Sequence, residues 1–144
     1  MNNDPLLLDN QLCFPLYAAA RKVISDYTPY LKPLHLTYTQ YIVMMVLWEK
    51  DNETVGEIGR RVHLDNGTMT PLIKNLSRNG YVSRNRSEKD ERVVVISLTE
   101  EGKKLKEKAK DVPEKMSCHF NLNREDAETL YRLLYQLIDG EAEK

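Results

Sequence analysis

Apolar residues recur at Leu12, Leu16, Ala19, Val23 and Tyr27, the three-and-four spacing of one helical face. Pro15 lies near the head of this stripe. Proline has no N–H to donate and clashes with the carbonyl four residues back, so it belongs in a first helical turn, and the helix is expected to start close to Cys13. Pro29 and Pro33 are expected to turn the chain out of helix through "TPYLKPLHL". Thr37 and Gln40 then stand at capping-box spacing, each able to satisfy an orphan amide of the other's residue. The run "YIVMMVLWE" that follows is apolar nearly all round, which predicts a helix buried on all sides at the centre of the domain. Thr54 and Glu57 repeat the capping spacing ahead of a short helix with Val55, Ile58 and Val62 on one side. After a turn at "HLDNG", the segment "TMTPLIKNLSRNG" predicts a third helix, with Leu72, Ile73 and Leu76 facing inward and Gly80 as its stop.

The period then changes. Tyr81 to Arg84 and Val93 to Leu98 read as short strands joined by the charged loop "NRSEKDER", a hairpin with a basic tip. Thr99 opens a long polar helix with Leu105, Ala109 and Val112 as its apolar stripe, expected to run until Pro113. A last helix is expected from Asn123 as N-cap to about Asp139, with Leu130, Leu133, Leu134, Leu137 and Ile138 apolar. Helix, turn, helix and basic hairpin make a winged helix-turn-helix. That fold lays its second helix in the major groove of DNA and its wing along the backbone or minor groove. The expectation is a mainly α single domain over residues 1–144, with a two-stranded β wing. Residues 37–99 would form the DNA-binding lobe, and 1–34 and 100–144 the N- and C-terminal dimerisation helices. The terminal helices carry more apolar stripe than one small core can cover. Either a homodimer buries it or those helices close over the central one.

Charge sharpens this picture. The net charge of −1 is unevenly spread: residues 60 to 92 hold eight Lys or Arg against four acids, whereas both flanks are acidic on balance. A basic lobe on a neutral chain is the footprint of a polyanion binder. No apolar run is of membrane-spanning length and no signal-peptide pattern is present, so a cytoplasmic protein is expected. Cys13 and Cys118 lie 105 residues apart and match no zinc or CxxC spacing, and the three histidines are scattered singly. No metal site and no cofactor is expected.

The blocks "LDNGTMTPLIKNL" (64–76) and "RNRSEKDERVVVISLTEEG" (84–102) resemble the MarR family of dimeric transcription regulators. Through "LDNQLCFPLYAAARK" (8–22) and "LTYTQYIVMMVLWE" (36–49), the chain is similar to that family's OhrR type, repressors that sense organic hydroperoxides. On chemistry alone, Asn66, Thr68 and Thr70 suit contact with base edges or thymine methyls, and Lys74 and Arg78 suit phosphates. Arg84, Arg86 and Arg92 populate the wing, and Asp90 is placed to orient Arg92 by a charge-assisted hydrogen bond. The resemblance implies that Asp90 and Arg92 form the family's wing motif, whose arginine enters the minor groove of inverted-repeat operator DNA. Asn66, Asn75 and Ser77 depart from the residues usual in the OhrR type, and Pro15 stands where an ordinary helix former is usual.

Cys13 admits two readings: a small apolar filler, or a thiol at a helix N-terminus, where orphan amides and the helix dipole favour the thiolate that peroxide oxidises. The resemblance implies the second, with oxidation to sulfenic acid and with Tyr27 and Tyr38 hydrogen-bonding the sulfur. Fourteen residues of straight helix span about 21 Å, so Tyr27 cannot reach Cys13 of its own helix and the contact must come from a partner chain. A sensing pocket at the dimer interface is expected, with Phe14, Tyr17, Tyr27, Tyr38 and Met44 as its wall. Cys118 matches the region where two-cysteine relatives carry a resolving thiol, which would form an intersubunit disulfide with Cys13 and release the DNA. The alternative is a spectator Cys118, with Cys13 capped by a small cellular thiol. Release by a phenolic or other small ligand without redox chemistry is the rival reading of the function. An enzyme is not expected, since nothing around Cys13 matches a peroxidase motif.

Overall fold

The computed structural model describes residues 3–140. A 3-10 turn at Leu8–Asn10 leads into α1, Cys13–Leu31, whose start is where Pro15 places it. Its end is not where Pro29 would place it. The helix runs through that proline, because Ser25 and Pro29 are both exposed and water can take the carbonyl that the missing N–H leaves open. The exit comes at Pro33, in a 3-10 turn over Lys32–Leu34 closed by His35 in the left-handed region at φ 56°.

Helix α2, Tyr38–Glu49, starts on the Thr37–Gln40 capping box: the Gln40 amide donates to Thr37 Oγ1 at 3.3 Å and the Thr37 amide to Gln40 Oε1 at 2.9 Å. It is the centre of the core. Val43, Met44 and Leu47 are buried against Ile58, Ile73 and Leu76, and only Met45 of its apolar residues is turned outward. Helix α3, Val55–Val62, carries the second capping box, between Thr54 and Glu57. Glu57 also pairs with the buried Glu53, which holds the Glu53 carboxyl above its usual range and lowers that of Glu57.

Helix α4, Asn66–Arg78, begins two residues ahead of the sequence expectation, because Asp65 is its N-cap and accepts the Thr68 amide at 2.8 Å. The turn between α3 and α4 depends on a glycine: a Cβ on Gly59 would stand 2.8 Å from the Leu64 carbonyl oxygen. The wing strands are β2, Val82–Arg86, and β3, Val94–Leu98, paired antiparallel with Val82 opposite Leu98 and Arg86 opposite Val94. A third strand absent from the sequence reading, β1 at Glu53–Thr54, pairs with the other edge of β3, giving the order β1-β3-β2. It makes the hairpin part of a sheet tied to α3.

The helix opened by Thr99 is also two pieces. Helix α5, Glu100–Ala109, stops short of Pro113, whose ring would clash with the Ala109 carbonyl, and Pro113 sits instead in the first turn of α6, Val112–Ser117. Gly102 lets α5 approach the strand entry, since a Cβ there would lie 2.1 Å from the Tyr81 carbonyl oxygen. The Gly102 carbonyl accepts the Trp48 indole N–H at 2.9 Å, locking α5 to α2. Helix α7, Arg124–Asp139, is capped by Asn123 and buries none of its residues. Helix α1 buries only Leu31. No helix among the described residues is long and apolar enough to cross a membrane.

Candidate DNA interface and thiol site

Helix α4 turns Met69, Leu72, Ile73 and Leu76 into the core, which fixes the opposite face outward. Asn66, Thr68, Thr70, Lys74 and Arg78 are all exposed. They are not equivalent. Lys74 and Arg78 lie closest to the centre of the outward face, whereas Thr68 stands at its margin beside Asp65, whose carboxylate is held below its usual range by the Thr68 amide and hydroxyl. Thr70 donates its hydroxyl to the Asn66 carbonyl at 2.8 Å, leaving its methyl and oxygen lone pairs free. The Arg78 guanidinium is steered by Asn75 Oδ1 at 3.4 Å.

In the wing, Asp90 accepts the Arg92 amide at 3.0 Å and stands 3.5 Å from Arg92 Nε, so one carboxylate holds both the turn and the arginine it aims. Arg92 is otherwise almost wholly exposed, at 93%. Arg86 is partly committed to the fold, donating from Nη1 to the Glu91 carbonyl at 2.8 Å across the turn. Arg84 is exposed on the same strand face two residues away. A groove of about 430 Å³ gathers Arg92 and Val94 of the wing with Asn66 and Thr70 at the head of α4. Chemically, this is a row of donors and cations that can meet base edges and phosphates together.

The thiol site is divided along α1. Cys13 is the first helical residue and exposed, with Phe14 at 44% and Tyr17 at 58% exposure beside it. Arg21 covers the Tyr17 ring at 5.6 Å. At the far end, about 21 Å along the axis, the Tyr27 and Tyr38 rings meet at 4.9 Å, tilted by 44°, and Tyr41, which the sequence reading missed, joins them at 5.8 Å from Tyr27. Burial pushes all three phenols above their usual range, helped by their mutual repulsion at Tyr27 and Tyr41. At neutral pH they are donors, and among the described residues no side chain or carbonyl occupies the hydroxyls of Tyr27 and Tyr38. Met44 is not part of this wall: it is fully buried in the core because α2 turns that face toward α3 and α4.

Cys118 closes α6, its thiol donating to the Lys115 carbonyl at 2.9 Å. His119, beside it, was noted in the sequence only as a scattered histidine. Its Nε2 shares a 2.8 Å hydrogen bond with the Tyr30 hydroxyl, and its Nδ1 lies 3.6 Å from Asp26 Oδ2. The segment bearing Cys118 is thereby held at the Tyr27 end of α1, and the chain brings Cys13 together neither with its own Tyr27 and Tyr38 nor with its own Cys118. Between α1 and α7 runs an apolar groove of about 370 Å³, lined by Leu16, Ala20, Ile24, Phe120, Leu130 and Leu134 among others. Among the described residues no three His, Cys, Asp or Glu side chains are grouped to hold a metal ion.

The family model for the transcriptional regulators SarA/Rot matches residues 26–109. The organic hydroperoxide resistance transcriptional regulator of Bacillus subtilis is 44% identical over 136 residues, covering 94% of this chain and 92% of its own. The regulator SarZ of Staphylococcus aureus is 41% identical, over 91% of this chain and 88% of its own. Reduced AbfR bound to DNA superposes with a TM-score of 0.78 at 33% identity, over 92% of this chain and 91% of its own. The disulfide form of AbfR gives 0.62 at 36% identity, over 92% and 88%. Overoxidised AbfR bound to DNA also gives 0.78 at 33% identity, so the present conformation is nearer to the DNA-bound forms of that relative than to its disulfide form. The chain belongs to the SarA/Rot family of transcriptional regulators and, among MarR-like winged helix-turn-helix proteins, to the organic-hydroperoxide-resistance type; it is a DNA-binding regulator and not an enzyme.

Proposed function

We propose that the protein is a cytoplasmic, homodimeric repressor that binds inverted-repeat operator DNA and is released when an organic hydroperoxide oxidises Cys13. The observation that carries this reading is the uncovered apolar face along α1 and α7, with Cys13 at one end and the paired phenols of Tyr27 and Tyr38 at the other. The chain exposes 11152 Å², against about 7,700 Å² for a compact monomer of its mass. A second copy reversed against α1 and α7 covers part of that excess and delivers its Cys13 to this chain's phenols. Phe14 and Tyr17, carried with Cys13, then complete an aromatic wall suited to an organic peroxide.

The thiolate of Cys13 attacks the peroxide, forming the sulfenic acid and releasing an alcohol. The Cys118 sulfur of the other subunit then attacks the sulfenyl sulfur; an S–S bond forms and water leaves. Two thiols supply the two electrons. A bond within one chain would require Cα atoms about 4.4–6.8 Å apart, whereas Cys118 sits by the Asp26–Tyr30 end of α1. On DNA, Asn66, Thr68 and Thr70 read bases, Lys74, Arg78, Arg84 and Arg86 hold the backbone, and Arg92, oriented by Asp90, enters the minor groove. The crosslink changes the spacing of the two α4 helices, which must stay near one turn of DNA apart.

The rival, release by a small ligand, has one feature in its favour: a cleft of about 410 Å³ lined by Thr28, Lys32, His35 and Tyr38 among others, suited to an anionic aromatic molecule. The test measures binding to an inverted-repeat promoter fragment before and after cumene hydroperoxide, for wild type, Cys13→Ser and Cys118→Ser, with nonreducing gels. Loss of wild-type binding on oxidation, absent in Cys13→Ser, is expected. Binding indifferent to oxidant but sensitive to a phenolic acid establishes the rival instead. A protein–protein crosslink persisting in Cys118→Ser removes the resolving role of that thiol.

A further inference from the structure

The cluster of His119, Asp26 and Tyr30 belongs neither to the DNA interface nor to the peroxide pocket, yet it adjoins the second thiol. Helix α6 ends at Ser117, and residues 118–123 lead to α7. His119 is the residue of this connection that both ring nitrogens tie to α1. Nε2 meets the Tyr30 hydroxyl at 2.8 Å, the rings stand edge to face at 5.6 Å, and Nδ1 faces Asp26 at 3.6 Å. Asp26 is itself fixed by Lys22 Nζ at 2.7 Å, and that ammonium holds its carboxylate below the usual range. One residue earlier, the Cys118 thiol is turned back onto its own helix at the Lys115 carbonyl.

We propose that His119 is a positioning residue that acts as a brake on the resolving step, latching the Cys118 segment to α1 in the reduced protein. The proposal rests on the reading of Cys118 as the resolving thiol. To attack the sulfenyl sulfur of the partner's Cys13, Cys118 must leave the Lys115 carbonyl and swing away from its helix. The neighbouring backbone moves with it, and the contacts of His119 to Tyr30 and Asp26 are lost. Contacts present only in the reduced state shift the thiol–disulfide equilibrium toward that state by their full strength and slow the step that breaks them. The sulfenic acid then persists longer, and DNA release is delayed relative to the first oxidation. The latch makes no hydrogen bond to its own chain's Cys13 or to the Tyr27 and Tyr38 hydroxyls, so the first oxidation is indifferent to it.

The experiment compares full-length wild type, His119→Ala, His119→Gln and Tyr30→Phe after one equivalent of cumene hydroperoxide. Sulfenic acid formation is followed by dimedone trapping, the intersubunit crosslink by nonreducing gel, and the midpoint potential in glutathione buffers. Unchanged dimedone labelling at early times is expected in every variant. Crosslinking should be faster, and the equilibrium more oxidised, by roughly threefold to tenfold in His119→Ala and by less in Tyr30→Phe, which keeps the ring contact but loses the hydroxyl. Tenfold in the equilibrium corresponds to about 30 mV toward a more reducing potential. Equal or slower crosslinking in both His119→Ala and Tyr30→Phe, with native circular dichroism and DNA affinity, overturns the brake. Absence of any crosslink in wild type instead overturns the resolving role on which it rests, and the two failures are distinct.

Discussion

At the scale of single residues, the helix starts are set by contacts within one turn. Thr37 with Gln40 and Thr54 with Glu57 each close a capping box within four residues, and both form as their spacing indicates. Pro15 marks the start of α1 for the same reason. Gly102 shows the opposite case. Nothing around it in "TEEGKKL" signals a need for glycine, because the atom that excludes a Cβ is the Tyr81 carbonyl oxygen, twenty-one residues earlier. Gly102→Ala therefore forces backbone apart where α5, β2 and α2 meet. It should lower the urea unfolding free energy by about 2–4 kcal/mol despite the gain in helix propensity. An unchanged or higher stability would mean that α5 shifts without resistance. His119 was equally illegible, since its partners lie on a helix 89 residues back along the chain.

At the scale of elements, the hairpin was readable and the sheet was not. The period-two runs and charged tip announce β2 and β3, but β1 is two residues whose pairing with Val95 and Ile96 has no local pattern. That strand matters because it ties the wing to the head of α3, so Arg92 is carried by a braced sheet and not by a free loop. The break between α5 and α6 was likewise misplaced, since Pro113 acts on the Ala109 carbonyl one turn earlier than its own position. With Arg92 aimed by Asp90 and exposed beside Asn66 and Thr70, Arg92→Ala should weaken operator binding at least tenfold at about 0.15 M salt. The same change should lower the magnitude of the slope of log K against log salt by about one. Equal loss on random DNA would show that the arginine contributes charge without readout.

At the scale of the whole molecule, the sequence foretold that the terminal helices would be left with apolar surface, because α1 and α7 carry stripes longer than a domain of this size can cover. What it could not supply was their arrangement: the groove between them, the docking of the connection after α6 near Tyr30, and the separation of the two thiols along α1. These depend on packing between segments a hundred residues apart. Leu133 and Leu137 on α7 are 47% and 63% exposed in the single chain. Leu133→Glu combined with Leu137→Glu should yield a species of 16.8 kDa by sedimentation, with operator affinity reduced at least a hundredfold. A dimer that survives both changes would move the interface off α7.

Trp48, the only tryptophan of the chain, spans that same molecular scale with one side chain. Its indole rests against α5 through the Gly102 carbonyl, at the seam between the helix that centres the DNA-reading lobe and the helix that leads toward Cys118. The emission of a lone indole reports the polarity and hydrogen bonding of one place, with no second fluorophore of its kind to blur the signal. The protein thus carries its own optical gauge of the seam between α2 and α5.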